Sequence, residues 1–193
     1  MNSKIIADPL RIYEYCPVSD GAVSLLLTSD KYSSSLSDKC IRISGSGSSS
    51  GVASITSRYS FTTIDSVRES ARKAFRKAGK KPADADVAEL HDMASVLEIV
   101  ESEDVGFFKK GEGWRALETG ETQIGGKLPI NTSGGLNSKG HPIGASGVAQ
   151  TAEIYLQLTG QAGKRQVNNA STGFSVSMAG FSNNSTSFVY EVP

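Results

Sequence analysis

The period of the apolar positions changes several times along the chain, and each change marks an element. In TTIDSVRESARKAFRKAG, Ile64, Val67, Ala71, Ala74, Phe75 and Ala78 recur at three- and four-residue steps, which predicts a helix with one apolar face. Thr63 is placed to cap its start, and Gly79 to end it in the left-handed conformation. A second helix is predicted over GASGVAQTAEIYLQLTGQAG, with Val148, Ala152, Tyr155, Leu156 and Thr159 as its inward stripe, and a third over ASVLEIVESEDVGFF. The short apolar run from Val23 to Leu27, after an Asp-Gly turn, reads as a buried strand. CIRIS alternates Ile41 and Ile43 with polar neighbours, a half-buried strand that runs into the Ser/Gly loop SGSGSSSGVAS. DVAELHD is a short strand ending at His91 and Asp92. Residues 109–129 are charged and glycine-rich, an extended loop that holds Trp114. RQVNNAS and STSFVYEV read as a closing antiparallel pair around a loop at 173–184. Strands alternating with helices predict an α/β fold, a mixed sheet flanked by helices, with no internal repeat.

Composition narrows the classes. The chain has 193 residues, 38% of them hydrophobic, and its 20 Lys and Arg balance 20 Asp and Glu. That length supports one substantial core. Zero net charge argues against nucleic acid, which requires a clustered cationic surface. The one basic cluster, RKAFRKAGKK, falls at a helix C-terminus, where cations offset the helix dipole. No apolar run approaches the roughly 20 residues of a membrane span. MNSKIIADPLRIYEY carries charges and Pro9 where a signal peptide needs an apolar core, so a cytoplasmic location with reduced thiols is expected. Cys16 and Cys40 form neither a disulfide framework nor a metal-ligand spacing.

The candidate chemistry gathers in NTSGGLNSKGHPIGASG, residues 131–147. From Gly135 the spacing of a phosphate loop reaches Gly140, but His141 and Pro142 stand where Lys and Ser/Thr are needed. GSGSSSG from Gly45 overshoots the dinucleotide-binding spacing by one residue. Both nucleotide readings fail. Gly134 and Gly135 permit positive φ or a close backbone approach, while Gly140-His141-Pro142 makes a tight turn that holds the histidine by its backbone. A ring so presented suits a general base near neutral pH. The only other histidine, His91, ends a strand, where sites in α/β folds assemble.

At these residues the chain resembles the C-terminal half of the thiolases, specifically the sterol-carrier-type and archaeal acetyl-CoA acetyltransferase branch. NTSGGLNSKGHPIGASG is similar to the thiolase signature Asn-x-x-Gly-Gly followed by Gly-His-Pro-x-Gly-Ala-Ser/Thr-Gly. ELHDMAS is similar to the His-Asp-Cys-Phe block of that branch, and PLRIYEYCPVSDGAVSLLLTS to the segment joining the two thiolase halves. The resemblance implies one half of a layered αβαβα arrangement, with a mixed five-stranded sheet. It divides the chain into residues 1–38, the tail of the N-terminal half and the connection, and residues 39–193, the C-terminal domain. It implies that His141 takes the proton of a nucleophilic cysteine and that His91 helps hold the developing oxyanion. Asn131, Gly134, Gly135 and Gly140 would shape the loop around them. No cofactor is implied beyond a coenzyme A thioester as substrate.

Two departures bear on function. Neither Cys16 nor Cys40 sits at a helix N-terminus among small residues, the setting that lowers a thiol pKa, so the nucleophile is expected on a partner chain. The Cys-x-Gly that many thiolases carry near the C-terminus is replaced by QVNNASTGFSVSMAGF, where Gly173 is the candidate for a backbone contact. A split thiolase subunit, acting with a thiolase N-terminal-half subunit in a homo- or hetero-oligomer, is the leading expectation. A non-catalytic thiolase-like scaffold and a subunit of a retro-aldolase are the alternatives.

Overall fold

The computed structural model describes residues 3–193. A short hairpin of β1 (Ile5–Ala7) and β2 (Leu10–Arg11), then the helix α1 (Asp30–Leu36), precede the main sheet. That sheet contains β3 (Arg42–Ser50), β4 (Val87–Glu89), β5 (Thr172–Ala179) and β6 (Asn184–Glu191), in the order β3-β6-β5-β4. β6 pairs antiparallel with both β3 and β5, while β4 joins β5 in parallel, so the sheet is mixed as the alternation of elements predicts. Of five implied strands, four form among the described residues. At the β4 edge the chain adds one parallel bridge, with the Ala88 N–H donating to Pro129 O at 3.0 Å and its carbonyl accepting from Asn131 N at 2.8 Å.

The helices are α2 (Asp65–Ala78), α3 (Ser95–Val105), α4 (Gly113–Glu118), α5 (Gly135–Lys139) and α6 (Ser146–Leu158). α2 covers one face of the sheet and α6 the other. Alternation along β5 sends Phe174, Val176 and Met178 toward α2, where Phe75 stacks on Phe174 at 5.1 Å between centroids. The opposite face packs Val87 and Tyr190 against Ile154 and Leu158 of α6. The α2 stripe is buried at Ile64, Val67, Ala71, Ala74 and Phe75, and Gly79 ends the helix at φ 67°.

Several expectations are corrected. Most of the Ser/Gly run is strand rather than loop, with only residues 51–54 beyond β3: Gly45 and Gly47 lie inside it, where a Cβ would stand 2.1 Å from Ala74 O and 2.0 Å from Ser70 O. Glycine is used there because the backbone of α2 rests directly on the strand. Thr63 does not cap α2; the buried Asp104 of α3 accepts the Ile64 N–H at 2.6 Å instead. Residues 23–27 form no strand: among the described residues no strand hydrogen-bonds to them, and Leu26 and Leu27 are exposed. The loop at 109–129 contains α4, which begins at Gly113, whose N–H donates to Glu103 Oε1 at 2.9 Å. The closing hairpin exists, but its first strand is β5 rather than RQVNNAS, and its turn is correspondingly short.

The inward face of α6 also differs from its apolar stripe. Gln150, Glu153 and Gln157 are buried beside Ile154 and Leu158, whereas Val148, Tyr155 and Leu156 are not. Hydrogen bonds offset part of the cost of burying these side chains: Gln150 Nε2 donates to Leu90 O at 2.8 Å and Val176 O at 3.0 Å.

Candidate active site

β4 ends at Glu89, and the chain leaves the sheet just before His91. The His91 N–H donates to Glu101 Oε2 of α3 at 2.8 Å, and the ring is buried with no partner at Nδ1 among the described residues. His141 follows α5 through Gly140, which adopts φ 94° and has Ser19 Oγ where a Cβ would lie, at 2.5 Å. The two imidazoles meet edge to face, with centroids 5.0 Å apart and planes at 89°. They come from positions 50 residues apart in the chain.

A strap of the N-terminal segment ties their loops together. Tyr15 bridges Ala94, Cys16 N donates to Met93 O at 2.9 Å, and the His141 N–H donates to Pro17 O at 3.0 Å. His141 Nδ1 lies 2.7 Å from Ser146 Oγ at the start of α6. Asn131, at φ 53°, accepts the Leu90 N–H at 2.8 Å through Oδ1 and donates through Nδ2 to Glu98 Oε2 at 2.8 Å, so it joins the loop to β4 and α3. Gly134 and Gly135 take φ 94° and 62°, and a Cβ on Gly135 would collide with Asp92 Oδ2 at 2.1 Å. His91 and His141 line one cleft of about 1010 Å³ with Met93, Ile143, Val148 and Ser177. Asn131, Gly134, Gly135 and Gly140 form the loop behind it, whereas Gly173 lies within β5, buried against Ile154, away from the cleft.

Burial dominates the electrostatics. It pushes His91 down to about 4, with neighbouring His141 adding to the effect, and it lowers His141 as well. Both rings are therefore neutral near pH 7. Burial and the nearby Asp92 carboxyl raise the Cys16 thiol, opposite to what a nucleophile needs. Burial also pushes Asp92 up to about 7 and Glu101 well above the usual carboxylate range.

Beneath the loop, fully buried Glu89 accepts from Ser133 Oγ at 2.6 Å and Ser133 N at 3.1 Å, with Lys139 Nζ 3.7 Å away. Burial raises it from 4.5 to about 7. Between those values the folded state holds a proton that the unfolded chain releases. Glu89 therefore makes stability fall as pH rises through this window, by about 3 kcal/mol. Glu89→Gln is expected to remove that component. Asp92 and His91 titrate in both proteins, so the difference between the urea-unfolding pH profiles isolates Glu89. Parallel profiles would mean that the carboxyl is ionised throughout.

Both histidines are legible in the sequence, whereas Glu101, Ser146 and the strap at 15–18 gain their contacts only in the fold. A glutamate on the inward face of a predicted helix was the available signal for Glu101. Nothing local marks the strap, because its bonds are made by backbone.

A family model described as "Thiolase C-terminal domain-like" matches residues 47–192. The chain belongs to the thiolase C-terminal domain family. This thiolase domain is 43% identical to the acetyl-CoA acetyltransferase of Methanothermobacter thermautotrophicus, over 93% of its own length and 47% of that protein. It is 41% identical to sterol carrier protein 2 of Homo sapiens, over 88% of its length and 32% of that protein. It thus spans half or less of the length of these relatives. Among solved structures, the "Ltp2-ChsH2(DUF35) aldolase" superposes with a TM-score of 0.86 at 23% identity, covering 99% of this chain and 50% of that one, which shows the shared fold.

Proposed function

We propose that this thiolase domain supplies the two histidines of a composite acyl-CoA site, completed by a thiolase N-terminal-half subunit that carries the nucleophilic cysteine. The observation that carries the reading is the edge-to-face contact of the two imidazoles, with centroids 5.0 Å apart, facing a cleft whose lining among the described residues includes no cysteine. Ser146 Oγ can spend its one proton on Pro142 O, 3.1 Å away, and accept from His141 Nδ1–H. That leaves His141 Nε2 as the lone-pair nitrogen to take the thiol proton. His91, accepting at Nδ1 or unpaired there, presents Nε2–H to the oxygen that gains charge as the thiolate adds to the 3-keto carbonyl of acetoacetyl-CoA. In thiolysis the C2–C3 bond breaks, the proton held on His141 passes to the departing acetyl-CoA enolate carbon, and the acetyl group left on the cysteine passes to coenzyme A, whose thiol proton returns to the cysteine sulfur.

Apolar surface around the cleft supports a covering chain. Val18, Leu26, Leu27 and Ile143 are each at least 73% exposed, a concentration unusual for a monomer surface. Co-expression with a thiolase N-terminal-half chain is expected to give a stable complex that cleaves acetoacetyl-CoA with coenzyme A, while neither chain does so alone. The isolated domain is expected to self-associate in sedimentation at micromolar concentration. A well-behaved monomer, with no gain of activity on mixing, would sink the reading.

A retro-aldol reading is favoured by one observation, the superposition on an aldolase complex whose name includes a DUF35 component. It needs no cysteine: His141 would remove the hydroxyl proton of a 3-hydroxyacyl-CoA, the carbon–carbon bond would break, and the enolate would be reprotonated. Cleavage of such a thioester without added coenzyme A separates it from thiolysis. A complex that assembles but performs neither reaction would indicate a scaffold.

A further inference from the structure

The two histidine loops are joined by a side chain as well as by the backbone strap. Asp92, the residue after His91, turns away from the cleft and reaches the opposite loop. Its Oδ1 accepts the Leu136 N–H at 2.7 Å and its Oδ2 approaches Asn137 N at 3.5 Å, so the carboxyl closes onto the first turn of α5. That short helix runs directly into Gly140 and His141. Asp92 is 5% exposed, and no Lys or Arg pairs with it among the described residues. The space it occupies exists because Gly135 has no Cβ: one built there would stand 2.1 Å from Oδ2 and 2.6 Å from Cγ. The Gly134-Gly135 pair is therefore shaped to the carboxyl of a residue more than 40 positions earlier in the chain.

We propose that Asp92 is a positioning residue that sets the separation and the perpendicular orientation of the His91 and His141 rings, by clamping the start of α5 to the loop that carries His91. The inference rests on the reading of those histidines as the working pair, and it adds to that reading the group that holds them in register. Asp92 does not touch the cleft. It acts through hydrogen bonds to backbone, and what it requires is an acceptor at the Oδ1 position. A buried carboxyl that accepts backbone N–H groups costs desolvation, and here that cost is offset by closing one loop onto the other.

The chain has only two histidines, so proton spectra contain only two imidazole Hε1 signals and assignment needs one variant. In the wild-type domain a nuclear Overhauser cross-peak is expected between the rings. Asp92→Ala is expected to abolish it and to move the His141 signal, while far-UV circular dichroism stays that of the folded domain. Asp92→Asn, whose amide oxygen still accepts from Leu136, is expected to keep the cross-peak. Gly135→Ala leaves the carboxyl in the chain but takes its space, so it is expected to reproduce the Asp92→Ala spectrum. If Asp92→Ala does not fold, Asp92→Ser, too short to reach Leu136, takes its place.

The clamp is wrong if the alanine or serine variant keeps the cross-peak with both signals unmoved. It is also wrong if the asparagine variant loses as much as the alanine variant, since charge rather than the acceptor would then matter. Unfolding of both short variants would make Asp92 a general scaffold residue and would equally overturn the proposal. None of these readouts uses activity. An inactive complex with the ring contact behaving as expected would remove the thiolase reading and leave the clamp standing.

Discussion

Replacing His141 by alanine is expected to lower thiolysis of acetoacetyl-CoA by the assembled two-chain enzyme by about 10³-fold, the usual scale for loss of a general base. The fold is expected to survive. His141 is held mainly through its backbone, whose N–H bonds Pro17 O at 3.0 Å, and alanine keeps that bond. The ring is only half-buried, so its removal opens no sealed cavity. What is lost is the one imidazole whose Nδ1 is anchored, at 2.7 Å from Ser146 Oγ, leaving Nε2 to accept a proton. The measurement is kcat for the complex, alongside a thermal melt of the variant domain. Full activity with His141→Ala would show that the proton goes elsewhere and would overturn the assignment.

Gly47→Ala is expected to destabilise the domain by about 3 kcal/mol or more, near the upper end for overpacking a core. The added Cβ would stand 2.0 Å from Ser70 O, 2.8 Å from Lys73 Cβ and 2.9 Å from Ala74 N. Two of these three atoms are helix backbone, which cannot rotate aside, so α2 would have to lift from β3. Gly144→Ala is the control, since nothing lies within 4 Å of its Cβ position, and its effect is expected to stay within about 0.5 kcal/mol. Urea unfolding of the two variants beside the wild type makes the comparison. Equal midpoints would mean that α2 does not rest on the glycine strand as described.

How far the sequence could be read depended on where each residue finds its partners. The α2 stripe was legible because its neighbours are apolar and the burial period is that of the helix itself. The inward face of α6 is not legible as an apolar stripe because it is amide and carboxyl, and those side chains are buried to bond Leu90 O, Val176 O and Arg165 rather than to exclude water. The glycines of β3 looked like a loop because glycine signals backbone freedom in a sequence, and close packing against a helix leaves the same letter. His91 and His141 were legible as candidates from their turns and from the resemblance to thiolases. Their contact was not, because no local rule relates positions separated by three helices.

By itself the sequence determined the α/β class, the main helix, the presence of a strand just before His91 and the two histidines, since each depends on local period, turn chemistry or a long motif. Tertiary structure alone decided that the rings meet at 5.0 Å, that burial holds them neutral, and that Asp92 fills the space left by Gly135. The reason is physical: a proton affinity and a ring contact depend on what surrounds a group in space. The chain brings those surroundings together from α3, α5 and the strap at 15–18, none of which is a sequence neighbour of His141 except α5.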